Sequence, residues 1–193
     1  LGENAISSDV AVSAEGGITV ATRGATSDST IILPHLTTTQ STWKTWTWGT
    51  DRETHWELTF TTPTAVTALE IWAGLKLTNT PVVTTDADQV FFKYDSAHAT
   101  APTLWHTIYS ISNADTEVGV GSAVAASTDY HLVIDIDSSR IARMYLNGVL
   151  MTTSTALTTA IDLIPYFGIL DTSAGSARTA RLTHLMMSRL RGA

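Results

Sequence analysis

The sequence contains no cysteine and little charge. With 0 Cys among 193 residues, it can form neither disulfide bonds nor thiolate metal sites. Charged residues make up 15%, and Lys and Glu are scarce, so little material exists for exposed helix faces. The net charge of −7 argues against general nucleic-acid binding. No apolar run approaches the roughly 20 residues of a membrane-spanning helix, so no membrane partner is expected.

What the sequence does contain is threonine, which makes up roughly one residue in six and favours β-strands. The hydrophobic fraction of 44% is too high for a disordered chain. A length of 193 residues suffices for one domain with a sizeable core, or a domain plus an arm. Composition therefore predicts a mildly acidic all-β domain, but it does not indicate a reaction.

Apolar and polar residues alternate along much of the chain from residue 31 onward, as in strands with one buried face. The clearest alternating runs cover residues 56–60, 69–77, 90–94, 105–111 and 132–136. Residues 1–30 are rich in Ala, Ser, Thr and Gly, and they are predicted to be either an N-terminal arm or edge strands. Residues 31–193 are predicted to form a single β-sandwich domain.

The strongest local signal is Asn147-Gly148, which stands between two alternating runs and predicts a two-residue hairpin turn. A second turn is expected at 137–140, and residues 179–191 are predicted to form a closing strand. Pairing across the hairpin predicts one face made of Ala142, Met144, Leu146, Val149 and Met151, and another made of Arg143, Tyr145, Leu150 and Thr152.

The run at 129–148, from Asp-Tyr-His-Leu-Val-Ile-Asp to Met-Tyr-Leu-Asn-Gly, resembles the concanavalin A-like lectin/glucanase superfamily, which includes laminin-G-like domains. Residues 88–95 (Asp-Gln-Val-Phe-Phe-Lys-Tyr-Asp) and 163–170 (Leu-Ile-Pro-Tyr-Phe-Gly-Ile-Leu) fit the same pattern. The resemblance covers roughly residues 56–189. It implies an all-β jelly-roll sandwich of two antiparallel sheets, a fold that hosts lectins, glycosidases and structural modules.

A Thr- and Ala-rich, Cys-free domain of this kind is similar to jelly rolls in virion proteins of tailed bacteriophages. That resemblance implies a non-enzymatic structural protein located in the virion, with a capsid decoration (cement) protein as the first hypothesis. Its partners would be the major capsid protein or other virion subunits, and itself as a homotrimer. The alternative is a carbohydrate-binding, lectin-like receptor-recognition domain of a tail or fibre.

Two groups of residues are candidates for an interface. Trp46 and Trp48 share a face if their segment is extended, and a place in the core, a subunit contact and a glycan platform all remain open for them. Trp72 lies opposite the apolar face of its strand, which favours a contact role. The C-terminal arginines predict either a solvated strand end or docking onto an acidic neighbour. They are Arg178, Arg181, Arg189 and Arg191.

No catalytic motif is present. The resemblance would place a Glu-x-Asp-x-Glu run on one strand of a glycosidase, and this chain lacks it. The nearest acid pairs are Asp86/Asp88 and Asp135/Asp137, with the second pair expected to point away from the core. We therefore predict no enzyme activity and no catalytic residues.

Metal and glycan ligands are sparse in the sequence. Asp86, Asp88 and Asp115 lie in probable loops, where they predict either a Ca²⁺ or glycan site or simply solvated acids. No other cofactor is predicted. The histidines show no His-x-His or His-Glu-x-x-His spacing, so no zinc site is expected. They occupy positions 35, 55, 98, 106, 131 and 184.

Overall fold

The computed structural model describes residues 6–32, 49–78, 86–175 and 177–189. Thirteen strands in these ranges form two antiparallel sheets, one of seven strands and one of six. Within the same ranges the helical content is a 3₁₀ turn at Ser7–Asp9, and no helix is long and apolar enough to span a membrane. The predicted all-β jelly-roll sandwich is confirmed.

The seven-stranded sheet has the spatial order β1 (Val10–Val12), β2 (Ile18–Ala21), β13 (Thr179–Arg189), β4 (Thr54–Thr61), β9 (Asp129–Ile136), β10 (Ile141–Leu146) and β11 (Val149–Ala156). The six-stranded sheet has the order β3 (Asp28–Ile32), β12 (Ile164–Asp171), β5 (Leu69–Lys76), β6 (Gln89–Asp95), β7 (Leu104–Ile111) and β8 (Ala114–Ala123). We call the outer surface of the six-stranded sheet the front face and that of the seven-stranded sheet the back face.

The main core lies between the two sheets and is built by the alternation read from the sequence. Along β4, Trp56, Leu58 and Phe60 are fully buried while the residues between them are only partly covered. The Phe60 ring meets Trp105 of β7 and Phe167 of β12 at centroid distances of 6.0 and 5.2 Å. Aromatic rings from both sheets therefore interlock at the centre of the sandwich.

The Asn147-Gly148 hairpin is confirmed. Leu146 pairs with Val149 across the turn, and the turn residues have φ angles of 50° and 79°. Both angles are in the left-handed region that Asn and Gly tolerate, as a two-residue hairpin of this kind requires.

The face assignment beyond that turn was wrong for part of β11. Tyr145 pairs with Leu150, but Met144 pairs with Thr152, so β11 carries an extra residue at this point. This bulge turns Thr152 toward the core, where it is 8% exposed, and Met151 beside it also packs against the core, as predicted. A single inserted residue reverses which side chains face inward, and nothing in the alternation marks it.

The described part of the N-terminal segment consists of strands that belong to the sandwich. β2 pairs with β13 in the seven-stranded sheet, whereas β3 pairs with β12 in the six-stranded sheet. Residues 10–12, 18–21 and 28–32 are strands of the sandwich, with β1 and β3 at the edges of their sheets and β2 between β1 and β13. The predicted closing strand is also present as β13.

Candidate functional site

The front face carries charged, amide and tryptophan side chains on two neighbouring strands, β5 and β6. Residues paired across neighbouring strands lie side by side and point the same way. One end of the face is buried and the other end is partly open. From the buried end to the open end, the rows of β5 and β6 are Lys76 with Gln89, Gly74 with Phe91, Trp72 with Lys93, and Glu70 with Asp95.

The buried end contains an ion pair. Lys76 is 0% exposed, and its Nζ lies 3.6 Å from Oδ2 of Asp86 and 5.7 Å from the centre of the Tyr166 ring. Asp86 also accepts hydrogen bonds from the amide and hydroxyl of Thr78, at 2.9 and 2.7 Å. Burial lowers the pKa of Lys76, and the Asp86 carboxylate opposes that shift.

Two polar groups beside this pair have unused hydrogen-bonding capacity. Neither amide atom of Gln89 nor the hydroxyl of Tyr166 has a hydrogen-bond partner within the described ranges, although both residues are 2% exposed. Burial, and secondarily the charge of Asp86, raise the pKa of Tyr166 well above its ordinary value, so the phenol is a neutral donor. Such groups are costly to leave unpaired, and they are common where a protein binds or reacts.

The open end of the front face holds four side chains in a square, Glu70, Trp72, Lys93 and Asp95, which we call the acid–tryptophan quartet. Lys93 Nζ lies 3.0 Å from Asp95 Oδ2, and these two side chains keep 15% and 14% of their surface exposed. The amide of Ala97 donates to Asp95 Oδ1 at 2.9 Å. Burial and the charge of Asp95 raise the pKa of Glu70, while Lys93 opposes the shift. The quartet therefore offers donors and acceptors around an indole.

Gly168 of β12 makes room for the indole in this quartet. A Cβ at position 168 would lie 3.0 Å from Cε3 of Trp72 and 2.9 Å from Cγ1 of Ile31. Trp72 is consequently 7% exposed and belongs to a second buried cluster on the front face. Alternation placed Trp72 on the outer face correctly, but its side chain forms the floor of the quartet and is not a protruding contact residue.

The back face carries a histidine cluster from three strands. Glu57 lies at its centre, with Nε2 of His131 at 2.8 Å, Nε2 of His55 at 3.3 Å and Nε2 of His184 at 3.7 Å from its carboxylate oxygens. His55 Nδ1 is also 2.5 Å from Asp135 Oδ1. His131 and Asp135 lie on the same face of β9, but the partner of His131 is Glu57.

The ionisable groups of this back-face cluster shift one another's pKa values. Burial alone would lower the pKa of His55, but hydrogen bonds to Asp135 and Glu57 outweigh it and raise the pKa. The hydrogen bonds from His131 and His55 lower the pKa of Glu57. The acids and imidazoles thus neutralise one another, which indicates a structural network.

The predicted arginines have partners within the chain. Arg178 donates to the carbonyl of Thr67 at 2.9 Å and lies 4.0 Å from Asp171. Arg181 is 3.0 Å from Glu15. Arg189 ends β13 and is partly buried. Trp46, Trp48 and Arg191 lie outside the described residues.

The three acids predicted for Ca²⁺ or glycan binding are engaged separately. Asp86 is the partner of Lys76, and Asp88 is 7% exposed and accepts from Thr158 and from the Ser112 amide. Asp115 is exposed and accepts from Ser110. In the part of the chain that the structure describes, none of the three belongs to a group of three metal-ligating side chains. The Ca²⁺ expectation stays a prediction.

The two acids of the second pair, Asp135 and Asp137, have different partners. Asp135 bonds His55, whereas Asp137 bonds Arg143 at 2.8 Å and accepts from the amide of Ile141 at 3.0 Å. The Ile141 amide and the Arg143 side chain lower the pKa of Asp137. Asp137 therefore stabilises the 137–140 turn.

No protein-family model matches the sequence, and no curated protein is detectably similar to it. The structure is similar to several solved ones. A glycoside hydrolase family 16 endo-glucanase from Bacteroides ovatus, solved in complex with G4G3G-2F-DNP, has a TM-score of 0.65 at 9% identity, over 95% of this chain and 86% of the other. An alginate lyase from Pseudomonas aeruginosa has a TM-score of 0.61 at 12% identity, over 96% and 87%. Carbohydrate-binding module CBM66 from Bacillus subtilis has a TM-score of 0.52 at 12% identity, over 93% and 90%.

These likenesses establish the fold. The chain is a concanavalin A-like jelly roll, as the run at 129–148 implied. At 9–12% identity they do not carry over any residue's role.

Proposed function

We propose that this chain is a carbohydrate-binding domain whose ligand site includes the acid–tryptophan quartet of the front face. The observation that carries the proposal is the quartet itself: two carboxyl groups and an ammonium group arranged around a buried indole at the open end of the sheet. Sugar hydroxyls both donate and accept hydrogen bonds, and charged partners make the stronger ones. The fold adds support, because solved proteins with this fold include a carbohydrate-binding module, an endo-glucanase and alginate lyases.

The quartet is arranged for binding rather than for hydrolysis. Both oxygens of Asp95 are engaged, Oδ1 by the Ala97 amide and Oδ2 by Lys93. An acid held in this way is well oriented to accept a hydroxyl but is not free to act as a nucleophile. Glu70, with its raised pKa, can donate when protonated and accept when ionised. We therefore retain the non-enzymatic reading as part of the proposal.

The test is binding of β-glucan and alginate oligosaccharides to the purified chain by glycan array and isothermal titration calorimetry. We expect Asp95→Asn and Lys93→Met each to weaken binding by about tenfold or more, because each removes a charged hydrogen-bond partner. Asp135→Asn, an acid of the back face, is the matched control and should bind as wild type does. Absence of binding to any glycan, or equal binding by Asp95→Asn, would refute the site.

A second proposal is the virion structural protein, with attachment to neighbouring capsid subunits and self-association as a trimer. It is supported by the outermost strands of the seven-stranded sheet, where Val12 is 86%, Val149 58% and Leu150 49% exposed. Apolar side chains on edge strands are typical of surfaces that pair with another chain.

Analytical ultracentrifugation tests the association step of this second proposal. The wild-type chain should sediment as a trimer, and the double variant Val149→Asp/Leu150→Asp as a monomer, because two charges would be buried in the contact. Val118→Asp, at the edge of the other sheet, serves as control and should leave the assembly intact. A wild-type chain that is monomeric at all concentrations would contradict trimer formation.

A further inference from the structure

Three side chains at the β7–β8 side of the front face are spaced like the ligands of one metal ion. His98 follows β6, His106 is on β7 and Glu117 is on β8. Nε2 of His98 and Nδ1 of His106 lie 3.2 and 3.0 Å from the same oxygen of Glu117, Oε1, and the two imidazole rings are 4.1 Å apart. In a tetrahedral zinc site with bonds of about 2.0–2.1 Å, neighbouring ligand atoms are ~3.3 Å apart. The two nitrogen–oxygen distances are close to that spacing, and all three ligand atoms lie within 4.8 Å of one another.

The hydrogen bonds of His106 leave one nitrogen aimed into this group. His106 is 2% exposed, and its Nε2 lies 3.1 Å from the carbonyl of Ala101, which can only accept. Nε2 therefore carries a proton, and Nδ1 faces Glu117. Nδ1 makes no hydrogen bond within the described residues, although Glu117 Oε1 is 3.0 Å away. Nδ1 of this buried ring and the Glu117 carboxylate are thus two potential ligand atoms that face each other.

The hydrogen bond from His106 to the Ala101 carbonyl is of the kind that orients metal-bound histidines. A ligating imidazole usually donates its other N–H to a backbone carbonyl or a carboxylate, which fixes the tautomer and orientation of the ring. Ala101 supplies this bond to His106 through the loop that also contains His98. The ring with the least exposure in the group is thus already held in an orientation in which Nδ1 faces Glu117.

His98 must change its proton position to take part. Its Nδ1 accepts from the Ala101 amide at 3.2 Å, so a neutral ring has its proton on Nε2, which lies 3.2 Å from Glu117 Oε1. A metal ion at Nε2 displaces that proton, and Nδ1 then becomes the protonated nitrogen. The hydroxyl of Thr100, 3.4 Å from Nδ1, is positioned to accept from it. Metal binding is therefore expected to rearrange residues 98–101.

We propose that His98, His106 and Glu117 form a binding site for a divalent transition-metal ion, with Zn²⁺ as the preferred ion. Two imidazoles and one carboxylate are a donor set that suits zinc, and the fourth position is left to water, since Glu117 is 38% and His98 20% exposed. The sequence spacing predicted no zinc site because its search was for histidines close together in the chain. This site adjoins the quartet, because His106 pairs with Lys93 on the neighbouring strand, but the proposal does not rest on glycan binding.

The experiment is titration of the metal-free full-length chain with ZnCl₂ by isothermal titration calorimetry at neutral pH, with Co²⁺ absorption spectra as a second readout. We expect one bound ion and a tetrahedral Co²⁺ spectrum. Glu117→Gln and His98→Gln should each weaken binding by about tenfold or more. Both positions are partly exposed, so the variants should fold, and circular dichroism checks this. His131→Gln and His184→Gln are matched controls from the back-face cluster and should bind as wild type does.

The results separate the alternatives clearly. No measurable binding at millimolar Zn²⁺ would overturn the proposal. Binding that survives Glu117→Gln and His98→Gln but is lost in His131→Gln or His184→Gln would also overturn it, because the ion would then be on the back face. Loss in the first pair alone, together with spectral changes at Co²⁺ saturation, supports it.

Discussion

Replacing Asp86 with alanine is expected to destabilise the chain by about 3–5 kcal/mol, which is a large part of the stability of an ordinary domain. The reason is the fully buried ammonium of Lys76, which would lose the carboxylate 3.6 Å away. The amide and hydroxyl of Thr78 would lose their acceptor as well. Urea unfolding followed by tryptophan fluorescence measures the change.

The double variant Lys76→Met/Asp86→Ala separates the charge effect from the loss of packing. Removing both charges takes away the uncompensated ammonium, so we expect this variant to regain most of the loss. Asp115→Ala removes an exposed acid and should change stability by no more than about 0.5 kcal/mol. If Asp86→Ala were as stable as Asp115→Ala, the pair would not be the element that holds this end of the front face.

The ion pair also connects stability with the proposed site. Lys76 and the quartet are on the same face of the β5–β6 strand pair, at opposite ends of it. Tyr166, beneath the Lys76 ammonium, comes from β12, the strand on which Trp72 also rests through Gly168. A defect at the ion pair can therefore displace the floor of the quartet, and Asp86→Ala should also weaken glycan binding.

Local patterns in the sequence predicted the strands because each depends on residues close together in the chain. The alternation of Trp56, Leu58 and Phe60 requires only that one face of a strand be buried, and the Asn147-Gly148 turn requires only two residues with positive φ. The bulge in β11 depends on how many residues separate two paired positions. Alternation does not encode that number, so Thr152 was assigned to the wrong face.

The candidate sites depend on contacts between strands that are distant in sequence. Glu57 on β4 contacts His131 on β9 and His184 on β13 because these strands are neighbours in the seven-stranded sheet. Glu70 and Asp95 belong to consecutive strands, yet the long connection at 77–88 leaves their register undetermined from sequence. The available signal was that Glu70 and Trp72 alternate with the core residues of β5. It indicated an outward face without indicating its neighbours.

The other large effect is expected at the centre of the sandwich. Trp105 is fully buried and meets Phe60, Tyr130 and Tyr94 at ring-centroid distances of 6.0, 5.4 and 6.2 Å. Trp105→Ala should cost about 3–5 kcal/mol, because it leaves a cavity where rings from both sheets meet. Differential scanning calorimetry and urea unfolding measure the loss.

Trp105→Phe tests whether ring packing or the indole N–H is responsible. Within the described residues Nε1 of Trp105 has no hydrogen-bond partner, so phenylalanine removes a buried donor that gains nothing from its surroundings. It also keeps one ring in contact with Phe60 and Tyr130. We therefore expect Trp105→Phe to lose roughly half as much stability as Trp105→Ala, or less. An equal loss in both variants would mean that the indole makes an interaction that packing does not explain, and the aromatic core would have to be reconsidered as the main source of stability.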